Sequence, residues 1–227
     1  MKKEVSSIFA MMCTLMAVCL VASNIFTTKV FSVAGILLTG DLLIFPVSYI
    51  LNDCISEVYG YNKARYAIWT SFAVNFLFVI FAQLVVAIPG ASFWEGGEHF
   101  NYIFKMEIWV AAASLLAFLV GSTVNAAVMS RMKVACNGKR FWLRAIVSSI
   151  AGDLCDSLVF MPIVFWSVGF RKLVVMILCQ VGVKVLYETV LLPVTRKVVE
   201  QVKKKDATDV YDDGISYNPF RFKHLRG

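Results

Sequence analysis

The chain has 227 residues, of which 59% are hydrophobic and only 16% are charged, whereas soluble domains average about 45–50% apolar and about 25% charged residues. A mean hydropathy of +0.73 excludes an ordinary soluble enzyme and indicates an integral membrane protein, in which six spans of about 20–25 residues would occupy most of the length. The net charge of +7 does not indicate nucleic-acid binding, because the basic residues lie between apolar runs rather than on one soluble face.

Three apolar runs have the length of a membrane span and carry no charge. Spans 1, 3 and 4 are predicted at residues 5–28, 66–94 and 108–130. Lys2 and Lys3 precede the first run, but this run is longer than the roughly 7–15 apolar residues of a signal peptide. We therefore interpret it as a membrane helix.

Three further apolar regions are interrupted by charged residues. Spans 2, 5 and 6 are predicted at about residues 42–61, 145–168 and 173–197. None of the runs shows the strict alternation of barrel strands, and in lipid only helices and closed barrels satisfy every backbone group. The predicted fold is therefore an all-α bundle of six transmembrane helices in residues 1–199. A polar tail in residues 200–227 is expected to be cytoplasmic and partly disordered.

The distribution of basic residues predicts that both termini are cytoplasmic. Of the 22 Lys and Arg residues, only Lys29, Lys105, Arg171 and Lys172 fall in the outer loops, and Lys184 falls inside span 6. The others lie in segments on the opposite side, as the positive-inside rule requires of a cytoplasmic face.

Six ionisable residues interrupt the spans in pairs that are three or four positions apart, so each pair lies on one helix face. The pairs are Asp53 with Glu57, Asp153 with Asp156, and Lys184 with Glu188. Each charge at mid-helix costs about 2.5–3.5 kcal/mol. One hypothesis is a buried ionic lattice, in which Lys184 pairs with a carboxylate and the other acids are protonated. The other is a polar cavity that binds a ligand rich in hydrogen-bond donors, a cation or protons.

Other polar and small residues in the spans have a simpler interpretation. Asn75, Gln83 and Asn125 are predicted to join helices through hydrogen bonds. Span 4 also carries small residues four positions apart, which predict close packing against a neighbouring helix: Ala113, Ala117 and Gly121.

Signals of catalysis are missing from the sequence. The patterns HExxH, GxSxG and GxxxxGK[ST] do not occur, so a metalloprotease, a hydrolase elbow and a P-loop lack support. His99 and His224 lie outside the predicted spans and cannot form an intramembrane metal site. We predict neither an enzyme nor a bound metal or cofactor.

Four segments of the chain resemble the queuosine precursor transporters, a family of bacterial six-span inner-membrane proteins within the vitamin uptake transporter group. They are ASN at residues 22–24, NDCISEVYG at 52–60, GDLCDSLVFMPIVFW at 152–166, and the region from Lys184 to Pro193. The resemblance extends over nearly the whole chain up to about residue 200. It implies uptake of a small 7-deazaguanine base, 7-cyano- or 7-aminomethyl-7-deazaguanine, that serves tRNA modification.

The resemblance also implies a set of substrate-binding residues. By position these are Asn24, Asp53, Asp156 and Lys184, and Glu57 and Glu188 extend the same charged faces and join the candidate site. Asp53 or Asp153 would carry any coupling proton, because a buried carboxyl group can titrate near neutral pH. The partners expected are the deazaguanine and the bilayer, without nucleic acid.

Two alternatives remain open from the sequence. The fold also resembles the S components of energy-coupling-factor transporters, so the chain could be a binding subunit for a vitamin-like ligand that needs an ATP-driven partner. Span 1 lacks the AxxxA pattern through which S components dock, which favours solitary action. In a purely structural protein the charges would instead pair internally, and replacing a complete pair by apolar residues would be harmless.

Overall fold

The computed structural model describes residues 6–33, 36–105 and 108–221. In this part of the chain the helices are α1 (Ser7–Phe26), α2 (Phe45–Tyr59), α3 (Tyr61–Ala87), α4 (Gly97–Phe104), α5 (Ile108–Ala135), α6 (Phe141–Val164) and α7 (Phe170–Asp206). Strands β1 (Val30–Val33) and β2 (Ile36–Thr39) and the short 3-10 helices Gly40–Leu43 and Trp166–Val168 complete the described elements.

Among the described residues, five helical stretches are long and apolar enough to cross a membrane. Four of them are α1, α3, α6 and α7, and the fifth contains α5. They overlap predicted spans 1, 3, 4, 5 and 6, which confirms an all-α membrane protein with several spans. The bounds of span 3 differ from the predicted residues 66–94, because α3 begins at Tyr61 and ends at Ala87. Helix α7 has 37 residues and is therefore about 55 Å long. Because the hydrocarbon core is only about 30 Å thick, one end of α7 extends well beyond it.

Predicted span 2 is wrong in length. The prediction was a helix over residues 42–61, but α2 contains only 15 residues, or about 22 Å. Pro46 lies in its first turn, where a missing N–H costs nothing, and Gly60 ends it with φ +81°. Leu42 belongs to the preceding 3-10 helix and Tyr61 begins α3. Twelve of the fifteen residues are buried, so α2 is enclosed by other helices and does not need to match the bilayer thickness.

A β-hairpin that the sequence analysis did not predict connects α1 to α2. Strands β1 and β2 pair antiparallel, with Val30 opposite Thr39. The backbone N–H of Gly40 then donates to the carbonyl of Lys29 and closes the hairpin. We call the end of the bundle that carries these strands the hairpin end.

Helix α2 packs against α1, α3, α5 and α7, while α6 packs against α5 and α7. Tyr49 of α2 fits where α5 and α6 come close together, because Gly121 and Gly152 carry no side chain there. A Cβ on Gly121 would lie 2.3 Å from the Tyr49 hydroxyl oxygen, and one on Gly152 would lie 2.8 Å from the Tyr49 ring. Ala113 and Ala117 are also buried, which confirms that this row of small residues serves helix packing.

The C-terminal segment differs from the predicted solvated tail. Helix α7 continues to Asp206, and residues 207–221, which we call the C-terminal strap, fold back over the ends of α2 and α3. The Asp212 carboxylate accepts a hydrogen bond from the N–H of Tyr61 at 2.7 Å, and the Val210 N–H donates to the Val58 carbonyl. The Pro219 carbonyl accepts from the Trp69 indole N–H at 2.9 Å. Residues 222–227 of the predicted tail lie outside the described part.

Polar residues of the strap form hydrogen bonds with backbone groups at the ends of helices. The first N–H groups of a helix have no partner within the helix, and Asp212 supplies one to α3, where its charge also complements the helix dipole. The aromatic ring of Tyr217 packs on Tyr61 with centroids 5.0 Å apart and lies beneath the Arg131 guanidinium at 4.5 Å. We call this end of the bundle the strap end.

Candidate functional site

The ionisable residues of the predicted spans lie on three helices that contact one another. Asp53 and Glu57 are on α2, Asp153 and Asp156 on α6, and Lys184 and Glu188 on α7, and all six are buried. Helix α7 contacts both α2 and α6. We call these six residues the charged track. It runs from Lys184 and Asp156, nearer the hairpin end, to Glu57 at the strap end.

In the part of the track nearest the hairpin end, Lys184 forms salt bridges with two carboxylates. Its Nζ lies 3.2 Å from an oxygen of Asp156 and 3.8 Å from an oxygen of Asp153, so one ammonium serves two carboxylates on the same face of α6. The same Nζ lies 4.1 Å from the ring centroid of Phe45, and Phe45 in turn packs on Tyr49 with centroids 5.3 Å apart. The cation thus sits between two acids and an aromatic face.

Asp41 is a further acidic residue near Lys184, and the sequence did not predict that it belongs to the site. It lies in the 3-10 helix before α2, and its charge interacts with those of Lys184 and Asp156. Its Oδ1 is buried and has no hydrogen-bond partner in the described residues. The Tyr187 hydroxyl donates to the Leu43 carbonyl and attaches this 3-10 helix to α7. Asp41 was assigned to a loop, and no pattern in the sequence connects it to Lys184.

The carboxylates deeper in the track have few partners. Asp53 accepts a hydrogen bond from the Ser148 hydroxyl at 3.3 Å. Neither oxygen of Asp153 nor of Glu188 has a hydrogen-bond partner in the described part of the chain. Glu188 is one turn from Lys184, which would allow the two to neutralise each other, but the salt bridges of Lys184 go to α6 instead.

A small cavity of about 10 Å³ adjoins these carboxylates between α2, α6 and α7. Asp53 and Glu188 line it together with the hydroxyl-bearing residues Ser149, Thr189 and Thr195. A cavity of this size is on the scale of one water molecule. Because all six side chains of the track are buried, a ligand the size of a purine could reach them only if the helices moved apart.

Glu57 lies at the strap end with three basic residues around it. Both terminal nitrogens of Arg144 donate to its carboxylate, Lys203 Nζ lies 2.7 Å from Oε1, and Lys133 Nζ lies 4.0 Å from Oε1. Lys133 also contacts Asp209 of the strap. This arrangement satisfies the Glu57 charge by internal ion pairs, unlike the charges of Asp53 and Glu188.

Asn24, another predicted substrate-binding residue, is held by helices outside the track. Its amide nitrogen donates to Asn75 Oδ1 on α3 at 2.9 Å, and its amide oxygen accepts from the Ser114 hydroxyl on α5 at 3.0 Å. Neither partner belongs to α2, α6 or α7. The structure therefore does not bring Asn24 together with Lys184.

The predicted interhelical hydrogen bonds of the other amides are confirmed. Asn75 binds Asn24, the Gln83 amide donates to the Phe104 carbonyl, and Asn125 Oδ1 accepts from Asn52 at 2.7 Å. Asn52 also donates to the Ser122 carbonyl at 3.0 Å. Asn52 precedes Asp53, so these bonds to α5 fix the rotation of α2 that turns Asp53 towards α6.

Comparison with known proteins identifies the family. A family model described as "Putative vitamin uptake transporter" matches residues 39–198, which is more than half of the chain and includes the whole charged track. No solved structure is significantly similar.

Three curated relatives carry a more specific name. The chain is 26% identical over 148 residues to the queuosine precursor transporter of Escherichia coli (strain K12), covering 64% of this chain and 63% of that protein. It is 26% identical over 149 residues to the probable queuosine precursor transporter of Bacillus subtilis (strain 168), covering 65% of each. A Haemophilus influenzae protein with the same name as the latter is 26% identical over 129 residues, 57% of this chain and 52% of that protein.

The chain thus spans less than two thirds of the length of these relatives. The family match covers the helices that carry the charged track, and its members are named as transporters rather than enzymes. The chain therefore belongs to the vitamin uptake transporter family.

Proposed function

We propose that this protein imports queuosine precursors, 7-cyano- or 7-aminomethyl-7-deazaguanine, across the inner membrane of a bacterium. The names of the relatives support the substrate class. The observation that carries the proposal is the buried Lys184 ammonium, which lies between Asp156, Asp153 and the Phe45 ring. Ionisable groups at membrane depth generally mark a path for substrate or ions.

The chemistry of these residues fits a deazaguanine. The pairing edge of the base presents a row of N–H donors beside a carbonyl. The Asp156 carboxylate accepts from the donors, and the Lys184 ammonium donates to the carbonyl. The flat ring can stack on an aromatic side chain, and Phe45 is the aromatic residue on which Lys184 rests. The base would enter by taking over the contacts that Lys184 makes in the closed bundle.

In alternating access, the hairpin end of the track would admit substrate from outside, and the strap end would release it into the cell. With both termini cytoplasmic, the hairpin end would face outwards and the strap end inwards. Substrate would then approach Lys184 past Asp41, while the ion pairs of Glu57 with Arg144 and Lys203 close the inner end. Release into the cell would require these ion pairs and the strap to separate from α2.

The alternative function is a substrate-binding subunit that resembles the S components of energy-coupling-factor transporters. An all-α membrane fold is compatible with either function. An S-component-like subunit would need a coupling ATPase, and co-purification with such a complex would support that alternative. The AxxxA pattern through which S components dock is missing from span 1, which favours a transporter that acts alone.

Uptake in cells tests the proposal. A strain that cannot make its own precursor should regain queuosine in tRNA when it expresses this protein and receives 7-cyano- or 7-aminomethyl-7-deazaguanine. The variant Asp156→Ala should lose this uptake at equal expression. Glu200→Gln is the matched control, because Glu200 is an exposed acid on α7 that pairs only with Arg196 in the described residues. Normal uptake by Asp156→Ala would contradict the assigned site.

A further inference from the structure

The charged track contains more carboxyl groups than Lys184 and the basic residues around Glu57 can neutralise. Glu57 is satisfied by Arg144 and Lys203 at the strap end. Of the other four acids, Asp153 and Asp156 pair with the Lys184 ammonium. In the described part of the chain, Asp53 and Glu188 form no salt bridge, and burial of an uncompensated charge at membrane depth is strongly unfavourable.

Glu188 is the least satisfied of these groups. Its side chain is only 6% exposed, and neither oxygen has a hydrogen-bond partner among the described residues. The charged groups that face it are Asp53 from α2, Asp153 from α6 and Lys184 from α7, with the Ser149 hydroxyl nearby. Lys184 already serves Asp156 and Asp153, so Glu188 and Asp53 require another positive charge.

A proton fits this requirement better than a metal ion. The described residues contain no group of three or more acidic, histidine or cysteine side chains arranged to hold a metal, so the carboxylates do not converge on one point. The cavity between Asp53 and Glu188 has a volume of only about 10 Å³. Protonation removes the charge of a carboxylate without any coordination shell, and the hydroxyls of Ser149, Thr189 and Thr195 can hold a water molecule that carries the proton in or out.

Asp153 connects this region to the proposed substrate site. It lies 3.8 Å from Lys184 and also faces Glu188. A substrate that draws Lys184 towards itself leaves Asp153 and Glu188 without their nearest cation, which favours their protonation. A proton on Glu188 or Asp153 in turn leaves Lys184 free to engage the substrate and Asp156.

We propose that Glu188, with Asp53 and Asp153, forms a proton-binding site distinct from the Lys184–Asp156 substrate site, and that its protons drive transport. This inference rests on the proposed function and specifies its energy source. It assigns Glu188 to proton coupling rather than to direct contact with the base.

The experiment uses the full chain in liposomes, with 7-cyano- and 7-aminomethyl-7-deazaguanine as radiolabelled probes. Two assays are compared, namely exchange of internal for external base without any gradient, and accumulation driven by an external pH one unit lower than the internal pH. The membrane potential is held at zero with potassium and valinomycin. Without a membrane potential, one coupled proton supports up to about a tenfold accumulation of either base, because one pH unit is a tenfold ratio of proton activity. In a third assay, accumulation of base is measured with a sodium gradient at equal pH on both sides.

The wild type should exchange the base and accumulate it with the pH gradient but not with the sodium gradient. Glu188→Gln, which mimics the protonated carboxyl group, should still exchange base but lose accumulation and the dependence of exchange on pH. Glu200→Gln on the exposed face of the same helix should behave as wild type. Asp153→Asn should reduce accumulation in the same way, which guards against a folding defect peculiar to one variant.

Each failure has a different meaning. If the wild type exchanges neither base, the proposed function is wrong and this inference falls with it. If the wild type exchanges base but accumulates it only with sodium, or with neither gradient, proton coupling is wrong while the substrate assignment stands. Accumulation by Glu188→Gln equal to that of Glu200→Gln would overturn the role of Glu188.

Discussion

Arg144 on α6 donates hydrogen bonds from both terminal nitrogens of its guanidinium to the two carboxylate oxygens of Glu57 on α2. Both side chains are buried, with 0% and 2% of their surface exposed. Lys203 extends the contact to α7 through Glu57 Oε1 at 2.7 Å. One carboxylate therefore joins three helices at the strap end.

Glu57→Gln should destabilise the protein strongly. It leaves the Arg144 guanidinium buried without its charge partner, and removal of one partner from a buried pair typically costs about 3–5 kcal/mol. Thermal unfolding in detergent measures the effect. The double replacement Glu57→Leu with Arg144→Met should recover part of the loss, since it removes both charges. The exposed pair Arg196–Glu200 supplies the control, because Glu200→Gln should change stability by only about 0–1 kcal/mol. Equal effects of Glu57→Gln and Glu200→Gln would contradict this account.

Phe45→Leu should weaken binding of the deazaguanine. Stacking of a base on an aromatic ring is worth about 1–3 kcal/mol, so the dissociation constant should rise by about 5- to 150-fold. Phe45→Trp should retain most of the affinity. Phe93 is 87% exposed, and Phe93→Leu serves as the matched control in calorimetric titrations. The stacking role would be wrong if Phe45→Leu and Phe93→Leu bound the base equally well.

The strap can be tested at Asp212, which accepts from the Tyr61 N–H and from the Ser130 hydroxyl. Asp212→Ala should cost about 0.5–2 kcal/mol, as the loss of a helix N-cap does, and should expose residues 207–221 to limited proteolysis. The neighbouring acid Asp213 is exposed, so Asp213→Ala should leave both stability and cleavage unchanged. Identical cleavage of the two variants would show that Asp212 does not hold the strap.

Acid should release the strap through Asp209. Desolvation by burial raises the pKa of this carboxyl group, but hydrogen bonds and charges from Lys133 and Lys203 outweigh it and hold the pKa below its usual range. A carboxyl group with a lowered pKa stabilises the fold above its unfolded pKa of about 3.9, and the contribution disappears as the pH falls through the lower folded value. Protease sensitivity of the strap should therefore rise as the pH falls below about 4 in the wild type, whereas Asp209→Asn should be sensitive already at neutral pH. A pH profile shared by both proteins would contradict this role.

The sequence predicted the convergence of charges because their cost in lipid leaves few other arrangements. Asp153 and Asp156 lie on one face of α6 and meet Lys184, as their three-residue spacing and opposite charge indicate. The partner of Glu57 was not predictable in this way, since Arg144 was counted as a basic loop residue that orients the chain. Its contact with Glu57 depends on how α6 packs against α2.

The shortness of α2 and the contacts of the strap also escaped prediction. An apolar run does not distinguish a helix that faces lipid from one enclosed by other helices, and α2 is of the second kind. A polar segment is expected to be solvated, but Asp212 is buried because it meets backbone donors at the start of α3. Asp41 was missed for a similar reason, as its proximity to Lys184 results from the fold of the connection before α2.

The central claim is that Lys184 and Asp156 form the site for a 7-deazaguanine. Its most direct test is the thermal stabilisation of the detergent-purified protein by 7-cyano- and 7-aminomethyl-7-deazaguanine, with guanine and riboflavin as controls. A ligand at one hundred times its dissociation constant stabilises the native state by about 2.7 kcal/mol, a shift that should appear with a deazaguanine and vanish in Asp156→Ala. Absence of any shift in folded wild-type protein, or the same shift in Asp156→Ala, would contradict the claim.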